Sequence, residues 1–209
     1  MKNTMKEQKS PISEFQHPRS REHDSASLTG WRHHLWLALL VCASVAFSLG
    51  FACATPFVAF STAAALTLDR RDALLLTGAV WLANQFVGFT VLRYPWTISS
   101  FAWGFAIGAA AIVATLAARW TTRALNKAMW TGRSLAAFAA AFAVFEGVLL
   151  MVALVVLGGT EDFTPAIVGW IFAVNASALI GLFVLNWLAM VIGLIPKLRA
   201  RPSITERHA

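Results

Sequence analysis

Charge is what this chain has least of. Only 13% of its 209 residues are Asp, Glu, Lys or Arg, about half the share expected of a soluble domain. With 58% hydrophobic residues gathered in long blocks, that shortage argues against an ordinary soluble fold and for a polytopic membrane protein. Cysteine is also scarce. Cys42 and Cys53 lie in apolar sequence without a CxxC pair, so neither a disulfide framework nor a metal site is expected. The chain lacks GxxxxGK[ST], GxSxG and HExxH, and it has no intramembrane serine or histidine pair. ATP binding by the Walker route, enzyme activity and a resident cofactor are therefore not expected.

The net charge is +7. On a soluble chain this would raise nucleic acid as a partner; here the Lys and Arg residues lie between apolar blocks, where they set topology. Residues 1–29 are polar, carry Lys2, Lys6, Lys9, Arg19 and Arg21 and have no apolar face. They read as a disordered cytoplasmic tail. The first apolar run, from Leu35, is too long for a cleaved signal peptide. Residues 30–197 form the membrane domain and 198–209 a second cytoplasmic tail.

The apolar blocks run over 35–67, 73–92, 100–118, 134–157 and 164–195. As one helix the first would be about 50 Å long, against a hydrocarbon core of about 30 Å. Pro56 breaks it, giving span 1 (33–52) and a short span 2 (56–68) that is tilted, broken or partly covered by its neighbours. The expected fold is thus an all-α integral membrane protein of six transmembrane helices with both termini cytoplasmic. Charge supports six over five. The cytoplasmic segments then hold six, two, four and four Lys/Arg, 16 of 17, with Arg93 alone outside, as the positive-inside rule favours. The last span could start at Thr164-Pro165, where proline suits a first helical turn. The stretch 119–133, with Trp120, Leu125, Met129 and Trp130, could lie as an amphipathic helix on the inner membrane surface.

Polar side chains within the apolar blocks are the candidate site. Asn84 and Gln85 stand side by side in span 3, Trp103 in span 4, Glu146 at the centre of span 5, and Trp170 and Asn175 in span 6; Tyr94 and Trp96 follow span 3. In a six-span chain all lie at or above the midplane on the outer side. Amides there are either interhelical glue or ligand contacts, and Asn186 in the inner half faces the same choice. A carboxyl at mid-membrane usually marks a ligand or proton path. Together they suggest an outward-facing pocket for a sizeable organic molecule with flat and polar parts, not a bare ion. Adjacent helical residues point about 100° apart, so Asn84 and Gln85 cannot both face it squarely. Gln85 shares a face with Trp81 and Phe89, and Asn84 with Val80 and Gly88. Gln85 is expected to reach ligand and Asn84 to bond a helix.

Span 1 carries Ala38, Cys42, Ala46 and Gly50 at i+4 spacing. This smooth stripe suits close approach of another helix, within the bundle or on a partner. Gly104-x-x-x-Gly108 in span 4 and the alanines opening span 5 suit internal packing.

With the stripe, the spans and the outward polar cluster, the chain resembles the substrate-binding S components of energy-coupling-factor (ECF) vitamin transporters, in particular the solitary cobalamin type. The resemblance covers the architecture of residues 30–197. It implies uptake of a vitamin-like substrate, cobalamin or a related compound, across a bacterial inner membrane. It also implies docking of Ala38, Cys42, Ala46 and Gly50 on a coupling subunit served by ATPases, although Cys42 and Gly50 depart from the family's alanine pattern. Some members use a cysteine as a cobalt ligand, which draws attention to Cys53. Two other classes stay open: a proton-coupled or passive permease using Glu146, and a non-transport membrane scaffold. Membrane lipid is a partner in every case.

Overall fold

The computed structural model describes Trp31, residues 34–47 and residues 55–193. Gly50, Cys53, His33 and both tails lie outside the described residues. Among the described residues all regular structure is helical: α1 (His34–Phe47), α2 (Phe57–Thr67), α3 (Arg70–Thr90), α4 (Ile98–Ala124), α5 (Trp130–Val152) and α6 (Pro165–Val191). The last turns of α5 widen into a π-helix, Ala153–Leu157. Four helices, α3, α4, α5 with its π extension, and α6, have 21, 27, 28 and 27 residues. They are long and apolar enough to cross a bilayer, which takes about 20 residues. Their outward faces are apolar too, with Leu82, Phe86, Phe105, Val155, Ile180 and Trp187 all exposed. Such a surface suits lipid, not water.

The centre of the bundle is α2. It has 11 residues, about 16 Å of helix, and every residue from Phe57 to Ala65 is buried. It packs on α3, α4, α5 and α6. Pro56 starts it, having no N–H to lose at a helix N-terminus. At its other end Arg119 Nη1 donates to Leu68 O at 2.8 Å. Asp69 then caps α3 by accepting from Asp72 N at 2.8 Å. The short block expected for span 2 is thus a half-length helix enclosed on all sides.

A helix that ends inside the bundle exposes first-turn N–H groups to an apolar interior, where each unmet group costs several kcal/mol. Asn175 of α6 meets two of them. Its Oδ1 accepts from Val58 N at 3.0 Å and from Ala59 N at 3.2 Å, and its Nδ2 donates to Ile171 O at 2.9 Å. At the middle of α2, Ser61, Thr77 and Thr115 join α2, α3 and α4. Thr115 Oγ1 lies 2.9 Å from Thr77 Oγ1 and 3.0 Å from Ser61 Oγ, and Ser61 Oγ donates to Ala111 O at 3.2 Å.

One expectation changes. The stretch 119–133 is not a surface helix. With no breaker after Arg119, α4 runs on to Ala124, and a short link delivers the chain to α5 at Trp130. On α1 the buried face is Trp36, Leu40 and Ser44, while Ala38, Cys42 and Ala46 are exposed; these three do not pack inside the bundle. The start of α6 follows the sequence, with Pro165 in its first turn and Thr164 Oγ1 accepting from Ile167 N at 3.4 Å.

Asn175→Leu should therefore destabilise the protein by about 1–3 kcal/mol, since it strands two buried donors. Asn186→Leu should leave the detergent melting temperature unchanged, because Asn186 forms no hydrogen bond with any described residue. Equal melting of the two variants would contradict this role for Asn175.

Candidate functional site

Above the N-terminus of α2, at the end of the bundle away from the basic links, lies a cavity of about 490 Å³. It exists because α2 stops short. Thr55 and Phe57 form its floor, and α3, α4, α5 and α6 supply its walls. Five of the eight residues expected to bind substrate line it: Asn84, Gln85, Tyr94, Trp103 and Asn175.

These five are not equivalent. Asn84 is 8% exposed, and its Oδ1 accepts from Thr55 Oγ1, tying α3 to the segment that leads into α2. Asn175 is 2% exposed and caps α2. Both serve the fold while touching the cavity. Gln85 and Trp103 also line the cavity, but the Gln85 amide and the Trp103 indole N–H form no hydrogen bond with any described residue. With the Ser99 hydroxyl at the rim, they are polar groups left for a guest.

Glycines position this wall. A Cβ on Gly104 would come 2.6 Å from Gln85 Oε1, and one on Gly108 2.6 Å from Trp81 Nε1. Trp81 Nε1 donates to Gly104 O at 2.8 Å. The pair Gly104 and Gly108 therefore admits two side chains of α3, letting α3 and α4 interlock beside the cavity. Gly88 likewise makes room for the Tyr94 ring, whose Cε2 would lie 2.5 Å from an added Cβ. The chain turns back there because Arg93 takes a left-handed conformation (φ 58°) and Tyr94 N donates to Gly88 O at 3.0 Å, a helix ending usually given to glycine. This folds Tyr94 and Pro95 over the cavity. Trp103 reaches up beneath the next loop, 3.6 Å from where a Gly159 Cβ would stand.

Three expected residues lie elsewhere. Trp96 is 75% exposed and packs with Phe89 and Phe101 at centroid distances of 5.4 and 5.9 Å on the outer side of α3 and α4. Trp170 is 62% exposed. Glu146 is half-buried, with Oε1 buried and without a hydrogen-bond partner, but it does not line the cavity; its neighbour Phe145 does. In the same way Ile171 lines it and Trp170 does not. Both stand about 100° of helix rotation from a lining residue at the same height. Among the residues not anticipated, Ser99 and Ile107 were accessible to the same logic, since they flank Trp103 at i−4 and i+4 on one face of α4.

Comparison with protein-family models, with curated proteins and with solved structures returns no match to this chain. The cavity must be read from its own residues.

Those residues divide by role. Asn84→Ala should cost about 1–2 kcal/mol of stability, through the lost bond to Thr55. Gln85→Ala should change it by less than about 0.5 kcal/mol. Thermal melts in one detergent check the pair, and a reversed order would contradict the division.

Proposed function

We propose that this chain is a substrate-binding membrane subunit that takes a small, vitamin-like organic molecule from the outer side of a bacterial inner membrane for uptake. One observation carries the reading: uncommitted polar groups, Gln85 and Trp103 among them, face a mostly apolar cavity of about 490 Å³. Small-molecule sites are concave, mostly apolar, and carry a few placed polar groups within about 300–1,000 Å³. Gln85 offers a donor and an acceptor, and Trp103 offers a flat face and a donor. The volume favours a molecule of one or two rings. A corrinoid, the larger substrate raised by the resemblance, would keep most of its body outside.

Orientation follows from charge. With α1 and α2 as the first two of six spans and both termini cytoplasmic, 16 of 17 Lys/Arg are internal and the cavity opens outward. Without a Walker motif, energy would come from partner ATPases through a coupling subunit. The exposed row Ala38, Cys42 and Ala46 supports such a docking face. A second reading, a proton-coupled permease, draws on the unpartnered Oε1 of Glu146, which lies off the cavity wall.

Two measurements test the proposal. In a background without Cys42 and Cys53, an impermeant maleimide added to intact cells should label Thr160→Cys and not Thr122→Cys; labelling of the latter alone would overturn the orientation. Mass spectrometry of small molecules extracted from protein purified in mild detergent should find an organic compound at near-equal stoichiometry. Ile107→Trp, which fills the cavity, should reduce it at least about fivefold, a change of about 1 kcal/mol. Unchanged retention would place the compound elsewhere and contradict the proposal.

A further inference from the structure

We infer that the cleft between α5 and α6 is a binding site for one acyl chain of an anionic phospholipid, with Arg133 holding the lipid phosphate. The backbones of these two helices barely approach each other. They meet through rings, with Phe172 centred 5.4 Å from Phe138 and 5.1 Å from Phe142. From there toward the basic end the cleft opens into a groove of about 540 Å³, walled by Phe138, Leu179, Ile180 and Phe183. Neither helix fills it. Its walls offer water almost nothing to bond, and in a bilayer the available filler is a lipid tail. Along α6 the lining runs from Phe172 to Met190, about 27 Å of helix, against about 15 Å for one leaflet's hydrocarbon. A tail lies in it lengthwise.

Chemistry changes at the basic end of the groove. Trp130, Thr131, Asn186 and Trp187 line it there, the aromatic and polar mixture of a membrane interface. The guanidinium of Arg133 sits 5.7 Å from the Trp130 ring centre. Its Nε is buried without a hydrogen-bond partner, and it forms no ion pair with any described residue. Asn186 is equally uncommitted. Arg133 does not line the groove itself but stands beside Trp130, which does; an unpaired guanidinium there matches a phosphate at the mouth of the groove, because its planar fork binds phosphate through two parallel hydrogen bonds. Arg123 and Lys127, just before α5, add positive potential at the same end and favour a lipid of net negative charge. The groove shares no lining residue with the central cavity, so this inference stands apart from the proposed function.

The test uses the full chain reconstituted with equal amounts of phosphatidylglycerol and phosphatidylcholine, then re-extracted in mild detergent, with retained lipid counted by native mass spectrometry. The wild type should retain one phosphatidylglycerol in preference to phosphatidylcholine. Arg133→Gln should cut that preference at least about threefold, and Arg133→Lys should keep most of it. Ala176→Phe, filling the groove, should reduce retention of both lipids; if that variant does not fold, Ile180→Trp serves instead. A preference unchanged in Arg133→Gln, or retention unchanged in the folded groove-filling variant, would overturn the site.

Discussion

A helix of 11 residues ends inside a bundle of helices about twice its length, and the rest of the structure follows from that ending. Backbone N–H groups cannot be left bare in an apolar interior. Asn175 supplies the acceptor from α6, and Asn84 holds the approach to α2 through Thr55. With its end satisfied by protein rather than water, α2 need not extend further. The space it leaves is the cavity, and the longer helices around it are the walls.

The same constraint sorts the polar side chains. Amides bound to backbone or to a neighbouring hydroxyl hold the fold and have little left for a guest. Gln85 and Trp103 are not so bound, and both face the empty space. Their positions depend on glycine. Gly104 admits Gln85, and Gly88 admits Tyr94, so the lining is built from side chains of α3 and its loop pressed against helix backbone. The cavity thereby combines closely packed side chains with free polar groups.

Much of this was legible in the sequence. Apolar block length and Pro56 gave the helices and the short second one, because burial in a bilayer demands both a minimum length and closed hydrogen bonding; that the short helix sits at the centre was not legible. Thr164-Pro165 marked the start of α6 correctly. Height along the helices was legible too: Asn84, Gln85, Tyr94, Trp103 and Asn175 meet at one level. Rotation was not. Glu146 and Trp170 sit beside cavity residues but point away from the cavity, because which face turns inward depends on how neighbouring helices pack. An apolar surface facing lipid has much the same composition as an apolar core, so periodicity carries little information about direction. The extension of α4 beyond Arg119 was missed for a related reason, since basic and aromatic residues at a helix end resemble an interfacial helix in composition. That Asn175 caps α2 was not readable at all, its donors lying 116 and 117 positions away in the chain.

The central claim is that α2 closes the cavity from below while water reaches it from the opposite end. Solvent accessibility deep in the cavity tests this directly. In intact cells lacking Cys42 and Cys53, a cysteine at Ser99, near the rim, and one at Ile107, two turns deeper on the same face of α4, should both react with a small impermeant thiol reagent added outside, Ile107 more slowly. Reaction at Ser99 with none at Ile107 would mean that no aqueous cavity extends down to α2. Reaction at Ile107 only from the cytoplasmic side would mean that the bundle is open at the wrong end, and the account would fail.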